Sequence, residues 1–208
     1  MKTMTETVED RIIKAASALF LRYGAKNITM DDIAGNLRMS KKTIYKYFKD
    51  KENILYECIR EMIAKQMRER KEIAKNADNT IEGFITVMKQ AMEETENVNP
   101  VLLFEIERHY PKVMAYIDNM GKVDIYQEMV EKINQGIQEG LFRIDLNVDI
   151  VAKLFVAQSA EMTNVDTFPP SVYSRGELLK NIIINFLRGI STEEGRSLIE
   201  TYLSTHKI

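Results

Sequence analysis

A single cysteine, Cys58, stands in a chain of 208 residues. It has no partner for an internal disulfide, and the expected compartment is a reducing one. Histidine is almost as scarce, at two residues, His109 and His206. Glu105 and His109 share a helix face at i, i+4, which is the start of a metal site but two ligands short of one. No Gly-rich phosphate loop and no serine-nucleophile motif occurs. No charged-then-apolar leader is present, and no apolar run approaches the roughly 18 residues of a membrane span. A cytoplasmic chain with no cofactor and no metal is expected. No segment alternates with period two, and there is no internal repeat or low-complexity tract, so strands and solenoids fall away as well.

What remains is helical period. With 45% hydrophobic and 29% charged residues, the composition is that of a globular chain able to bury a sizeable core. The net charge of −2 conceals an asymmetry. Residues 1–50 hold ten Lys/Arg against six Asp/Glu, a net of +4, while the remainder holds 19 against 25, a net of −6. A cationic end on an acidic body points to nucleic acid.

The cationic end carries the most informative stretch, Thr29 to Leu55. Thr29 followed by Asp32 approaches a capping box. Met30, Ile33, Ala34 and Leu37 then line one face of a short helix. Arg38 and Met39 break it. Ser40 is a second cap, and Lys41 to Phe48 has helical period again; Asp50 is a third cap. Two short helices across a tight turn form a helix-turn-helix. At about 100° per residue, Ile44 and Phe48 point inward with Tyr47 beside them. Lys42, Lys46 and Lys49 point outward, flanked by Thr43 and Tyr45. Lysines neutralise phosphates and release counterions, while Tyr and Thr add hydrogen bonds and an apolar edge for a thymine methyl. A plain solvated lysine face is the alternative for the lysines alone. Ahead of this stretch, Val8 to Tyr23 is an amphipathic helix stopped by Gly24.

Gly24, Ile28-Thr29-Met30-Asp31-Asp32-Ile33-Ala34, Met39 to Phe48 and Lys51-Glu52-Asn53-Ile54-Leu55 together resemble the TetR family of bacterial transcriptional regulators. The likeness covers about residues 8 to 57. Lys42 departs from it, since the family often carries a small residue there, and this bears on base preference. The resemblance implies a C-terminal domain that dimerises through helix pairs and encloses an effector.

Beyond residue 50 every segment reads as helix: Lys51 to about Asn76, Thr80 to Glu96, Pro100 to about His109, Pro111 to about Glu139 with Gly121 a possible interruption, Val148 to about Asn164, a box-capped helix from Ser174 to Ile190, and a last helix capped by Ser191 and Glu194. Two are more apolar than one core needs. Val151, Leu154, Phe155, Gln158 and Met162 form one stripe, and Leu179, Ile182, Ile183, Phe186 and Leu187 another. They are expected at a dimer interface, with a central core helix as the alternative. A dimer would present two reading helices to successive major grooves, about 34–36 Å apart.

Twelve methionines are present. Met62, Met88, Met92, Met129 and Met162, with Phe104 and His109, are candidates for a pocket taking a small apolar or amphipathic effector; gap-filling core methionines are the alternative. The expectation is therefore an all-α protein with a helix-turn-helix DNA-binding domain at 1–52 and an effector-binding and dimerisation domain at 53–208. It would act as a homodimeric repressor of a palindromic operator, released by the effector, and not as an enzyme. Its DNA-facing residues would be Thr29, Lys41, Lys42, Thr43, Tyr45, Lys46, Tyr47 and Lys51. An effector-less helical DNA binder and a helical metal-dependent enzyme are the competing readings.

Overall fold

The computed structural model describes residues 6–96, 99–164, 166–169 and 171–206. The sequence also predicts a loose arm over Met1 to about Thr7 and a loop over Val165 to Tyr173; Met1–Thr5 of the first and Val165 and Pro170 of the second lie outside the described residues. Among the described residues the regular elements are ten α-helices, with one isolated antiparallel bridge between Phe142 and Ser191. The helices are α1 (Val8–Tyr23), α2 (Met30–Leu37), α3 (Lys41–Ile44), α4 (Lys51–Asn76), α5 (Thr80–Glu96), α6 (Pro100–His109), α7 (Pro111–Gln138), α8 (Val148–Glu161), α9 (Arg175–Ile190) and α10 (Glu193–His206). The all-α expectation holds.

Local chemistry explains most of the boundaries. Thr7–Asp10 and Thr29–Asp32 are complete capping boxes on α1 and α2, each satisfying two otherwise orphaned N–H groups. Gly24 ends α1 with φ of 79°, which a side chain would resist. Asn99 caps α6, with proline at the first helical position. Other boundaries differ from expectation. α7 runs unbroken through Gly121, because one glycine costs a helix only about 1 kcal/mol and need not end it. α8 stops at Glu161 rather than near Asn164. The Ser174 box is half formed, since its hydroxyl accepts from Glu177 N at 3.1 Å. Ser191 does not cap α10. Its hydroxyl turns back to Leu187 O at 2.7 Å, and Thr192 accepts from Gly195 N instead.

Packing divides the chain into two compact units. The first takes Met1–Met67 and Val98–Ile117, the second Arg68–Asn97 and Asp118–Ile208. This division is one of packing, whereas the expected boundary between 52 and 53 is one of function. In the first unit α1 packs on α2 and α6, and α2 on α3. Its core joins Ile12, Ala16 and Phe20 of α1 to Ile33, Ile44, Phe48, Ile54, Leu55 and Ile106. The two short helices α2 and α3 thus rest on an apolar floor that neither could supply alone. In the second unit α5 packs on α9 and α10, and α8 on α9. Ile81, Ile85, Met88, Ile133, Phe142 and Leu187 are its centre. Gly136 lets the Phe142 ring lie against α7, since a Cβ there would fall 2.2 Å from that ring.

Candidate nucleic-acid interface

The reading segment is short and pinned from below. α3 itself spans Lys41–Ile44, and its turns continue as Lys46 N to Thr43 O and Phe48 N to Ile44 O, at 3.2 and 3.0 Å. Ser40 starts it by accepting from Thr43 N at 3.1 Å. Ile44 and Phe48 are buried, as their spacing requires. Tyr47, expected beside them, is instead 45% exposed, because residues 45–47 form a tighter turn than an α-helix and swing its ring outward. Tyr45 is also half exposed.

Between Asp32 and Asp50 the chain carries no acidic residue and five cations: Arg38, Lys41, Lys42, Lys46 and Lys49. All five are exposed. Among the described residues Arg38, Lys42, Lys46 and Lys49 take part in no ion pair. Lys41 is paired, with Nζ 2.8 Å from Asp31 Oδ2, and that hydrogen bond raises its pKa. Both partners face solvent, so the pair is weak and open to exchange for a phosphate. Arg38 was not among the sequence candidates. It sits in the turn at φ 53°, a left-handed conformation usually given to glycine. Its place between two caps was the signal available.

Two expected contacts have other employment. The Thr29 hydroxyl accepts from Asp32 N and donates to Asp32 Oδ2 at 2.6 Å, so its only proton is used within the cap. The hydroxyl's bond to Oδ2, joined by Thr29 N donating to the same oxygen at 2.7 Å, holds the Asp32 carboxyl below its ordinary range. Lys51 points its ammonium at the loop between α1 and α2. Nζ donates to Ala25 O and Ile28 O at 2.7 Å each, with Lys26 O at 3.3 Å. Burial lowers its pKa, with the charge of Glu105 opposing. Lys51 thus spends its donors on the protein itself.

The other candidates divide between the two units. Met62 packs at the edge of the first core, while Phe104 and His109 are exposed on α6. Met88 and Met129 are buried in the second core, with Met92 packed against it; Met162, the capping residue just after α8, is half-buried. Neither unit gathers the whole expected set. A groove of about 420 Å³ in the second unit, lined by Lys180, Asn181, Asn185, Arg188 and Glu200, is polar rather than methionine-lined. Glu105 is buried and accepts from backbone N–H groups, so it does not meet His109 in a metal site. Among the described residues no cluster of three potential metal ligands exists. No helix among them is long and apolar enough to cross a membrane.

Of the dimer candidates, Leu154 is 57% exposed and Gln158 is exposed; Val151, Leu179, Ile182 and Phe186 are half-buried. Ile150, also exposed, extends this apolar face and was missed, although it lies one turn before Leu154. Phe155, Ile183 and Leu187 are a correction. They are buried in the unit's own core, so a single copy of the chain already covers them.

Residues 12–58 match the model for bacterial regulatory proteins of the tetR family. Over 186 residues the chain is 21% identical to YvaF of Bacillus subtilis, an uncharacterised HTH-type transcriptional regulator, covering 89% of this chain and 97% of the relative. It is 27% identical over 145 residues to the HTH-type transcriptional repressor KstR2 of Mycobacterium tuberculosis, covering 67% and 72%. The structure of KstR2, described as a ketosteroid transcriptional regulator, superposes with a TM-score of 0.52 at 22% identity, over 91% of this chain and 98% of that one. A transcriptional regulator from Cytophaga hutchinsonii shares the fold with a TM-score of 0.73 at 21% identity, over 87% and 97%.

Proposed function

We propose that this chain, whose residues 12–58 match the model for bacterial regulatory proteins of the tetR family, is a DNA-binding transcriptional regulator of that family rather than an enzyme, and that it acts as a cytoplasmic homodimeric repressor of a palindromic operator, released by a small apolar or amphipathic effector. The observation that carries the reading is the acid-free, outward face of residues 38–49, held on Ile44 and Phe48. In this reading Lys42, Thr43 and Tyr45 meet base edges, and Lys41 joins them once it leaves Asp31. Arg38, Lys46, Tyr47 and Lys49 fasten phosphates. Thr29 and Lys51 serve by holding α2 and its preceding loop in place.

The exposed apolar side chains Ile150 and Leu154, with the exposed Gln158 amide beside them, support pairing, because a dimer covers such a patch and two-fold symmetry matches a palindrome. The effector class rests on the methionine-rich helices and on the ketosteroid link of KstR2. The test is selection of bound duplexes from a random pool, followed by a metabolite screen for release. A single enriched palindrome and one releasing compound are expected. Equal binding to selected and random duplexes would leave a sequence-neutral binder instead.

A further inference from the structure

The loop between α1 and α2, residues 24–28, is gripped from two sides by opposite charges. Glu105 of α6 is buried, and its Oε2 accepts from Ala25 N at 2.6 Å and Lys26 N at 2.9 Å. The Lys51 ammonium, at the start of α4, takes the carbonyls of Ala25, Lys26 and Ile28. The anion thus meets the N–H ends of the loop's peptides and the cation meets their C=O ends, which is how charges align with peptide dipoles. Gly24 makes room: a Cβ there would lie 2.8 Å from Glu105 Oε2. The gripped loop leads straight into the Thr29 cap of α2, and Ile33 of α2 shares the buried core with Ile44 of α3.

We propose that Glu105, 80 residues from this loop in sequence, is a positioning residue for operator recognition, acting with Lys51 as a charged clasp that sets the angle at which α2 and α3 are presented. A carboxylate is an expensive filler for a buried position, and an apolar contact would stabilise as well. What the ionic grip adds is one fixed arrangement of the loop. Neither residue touches DNA in this scheme, so neither contributes counterion release. The proposal rests on DNA binding alone and is independent of the effector.

The test uses full-length protein and the duplex selected from a random pool. Glu105→Gln keeps the shape and removes the charge, and Lys51→Met keeps the stem and removes the cation. Each is expected to weaken operator binding by about tenfold, leave random-duplex binding unchanged, and leave the slope of log affinity against log salt unchanged. The double variant should lose no more than the weaker-binding single one, since both grip the same loop. Folding is checked by thermal melting; if Glu105→Gln does not fold, Lys51→Met carries the test from the loop's other side. Wild-type operator affinity in either variant would overturn the proposal. Equal loss on operator and random duplex would also overturn it, by showing a purely structural role. A salt slope reduced by about one in Lys51→Met would do the same, by making Lys51 a phosphate contact.

Discussion

Lys46 and Lys49 are single charges on an exposed face, and what each does to DNA follows from which atoms it meets. A phosphate contact carries no sequence information, so Lys46→Ala should weaken every duplex alike and flatten the salt slope by about one, measured by titration at several ionic strengths. Lys42→Ala should instead relax base preference in a repeated selection. Arg38 illustrates a different residue-scale effect. At φ 53° it bears a left-handed strain of about 1 kcal/mol, so Arg38→Gly should stabilise the folded chain by up to that amount in chemical denaturation while weakening DNA binding. Cys58 is buried, its thiol pushed up to about 11 chiefly by burial, with Sγ donating to Ile13 O at 3.4 Å. Native protein at pH 8 should therefore resist alkylation that the unfolded chain accepts at once. Because the folded value is the raised one, this burial stabilises below the ordinary thiol range and its contribution is lost as pH rises through 11.

At the scale of an element, α3 is barely a helix. Four residues cannot hold themselves helical, so the reading segment depends on Ser40 at one end and on Ile44 and Phe48 below. Ile44→Ala should cost about 2–5 kcal/mol in denaturant unfolding and abolish operator binding at temperatures where the rest of the chain stays folded. The α2 cap has a pH signature of its own. Its Asp32 carboxyl is depressed by the Thr29 hydrogen bonds, so the cap is intact above the ordinary carboxyl range and is lost as pH falls below it. Both elements were legible in the sequence, because caps and apolar spacing act over three or four residues. The tight turn at 45–47, which exposes Tyr47, was not: Lys41 to Phe48 keeps helical spacing throughout, and hydrogen-bond geometry alone separates the two turns.

For the whole molecule, the question is which apolar residues face a second copy. Leu154 is exposed on a single chain and Phe155, its neighbour, is buried. Leu154→Glu should therefore give a folded monomer in sedimentation, with operator affinity falling steeply because one reading segment no longer brings the other. Phe155→Ala should lower stability by about 3–5 kcal/mol without that specific loss of pairing. If Leu154→Glu remains a dimer, the interface lies elsewhere on the second unit.

The order of residues was enough to specify the helices, their caps and the cationic reading face, since each follows from neighbours within a turn or two. It also carried the family likeness, which is concentrated in those same residues. Tertiary structure decided the rest. Only folding brings Glu105 onto the Ala25 and Lys26 N–H groups, or spends the Lys51 ammonium on a loop 23 to 26 residues earlier. Only packing sorts the wide apolar stripes of α8 and α9 into side chains that a lone copy covers and side chains that it leaves bare. Periodicity reports that a face is buried; the partner that buries it is fixed by contacts far along the chain.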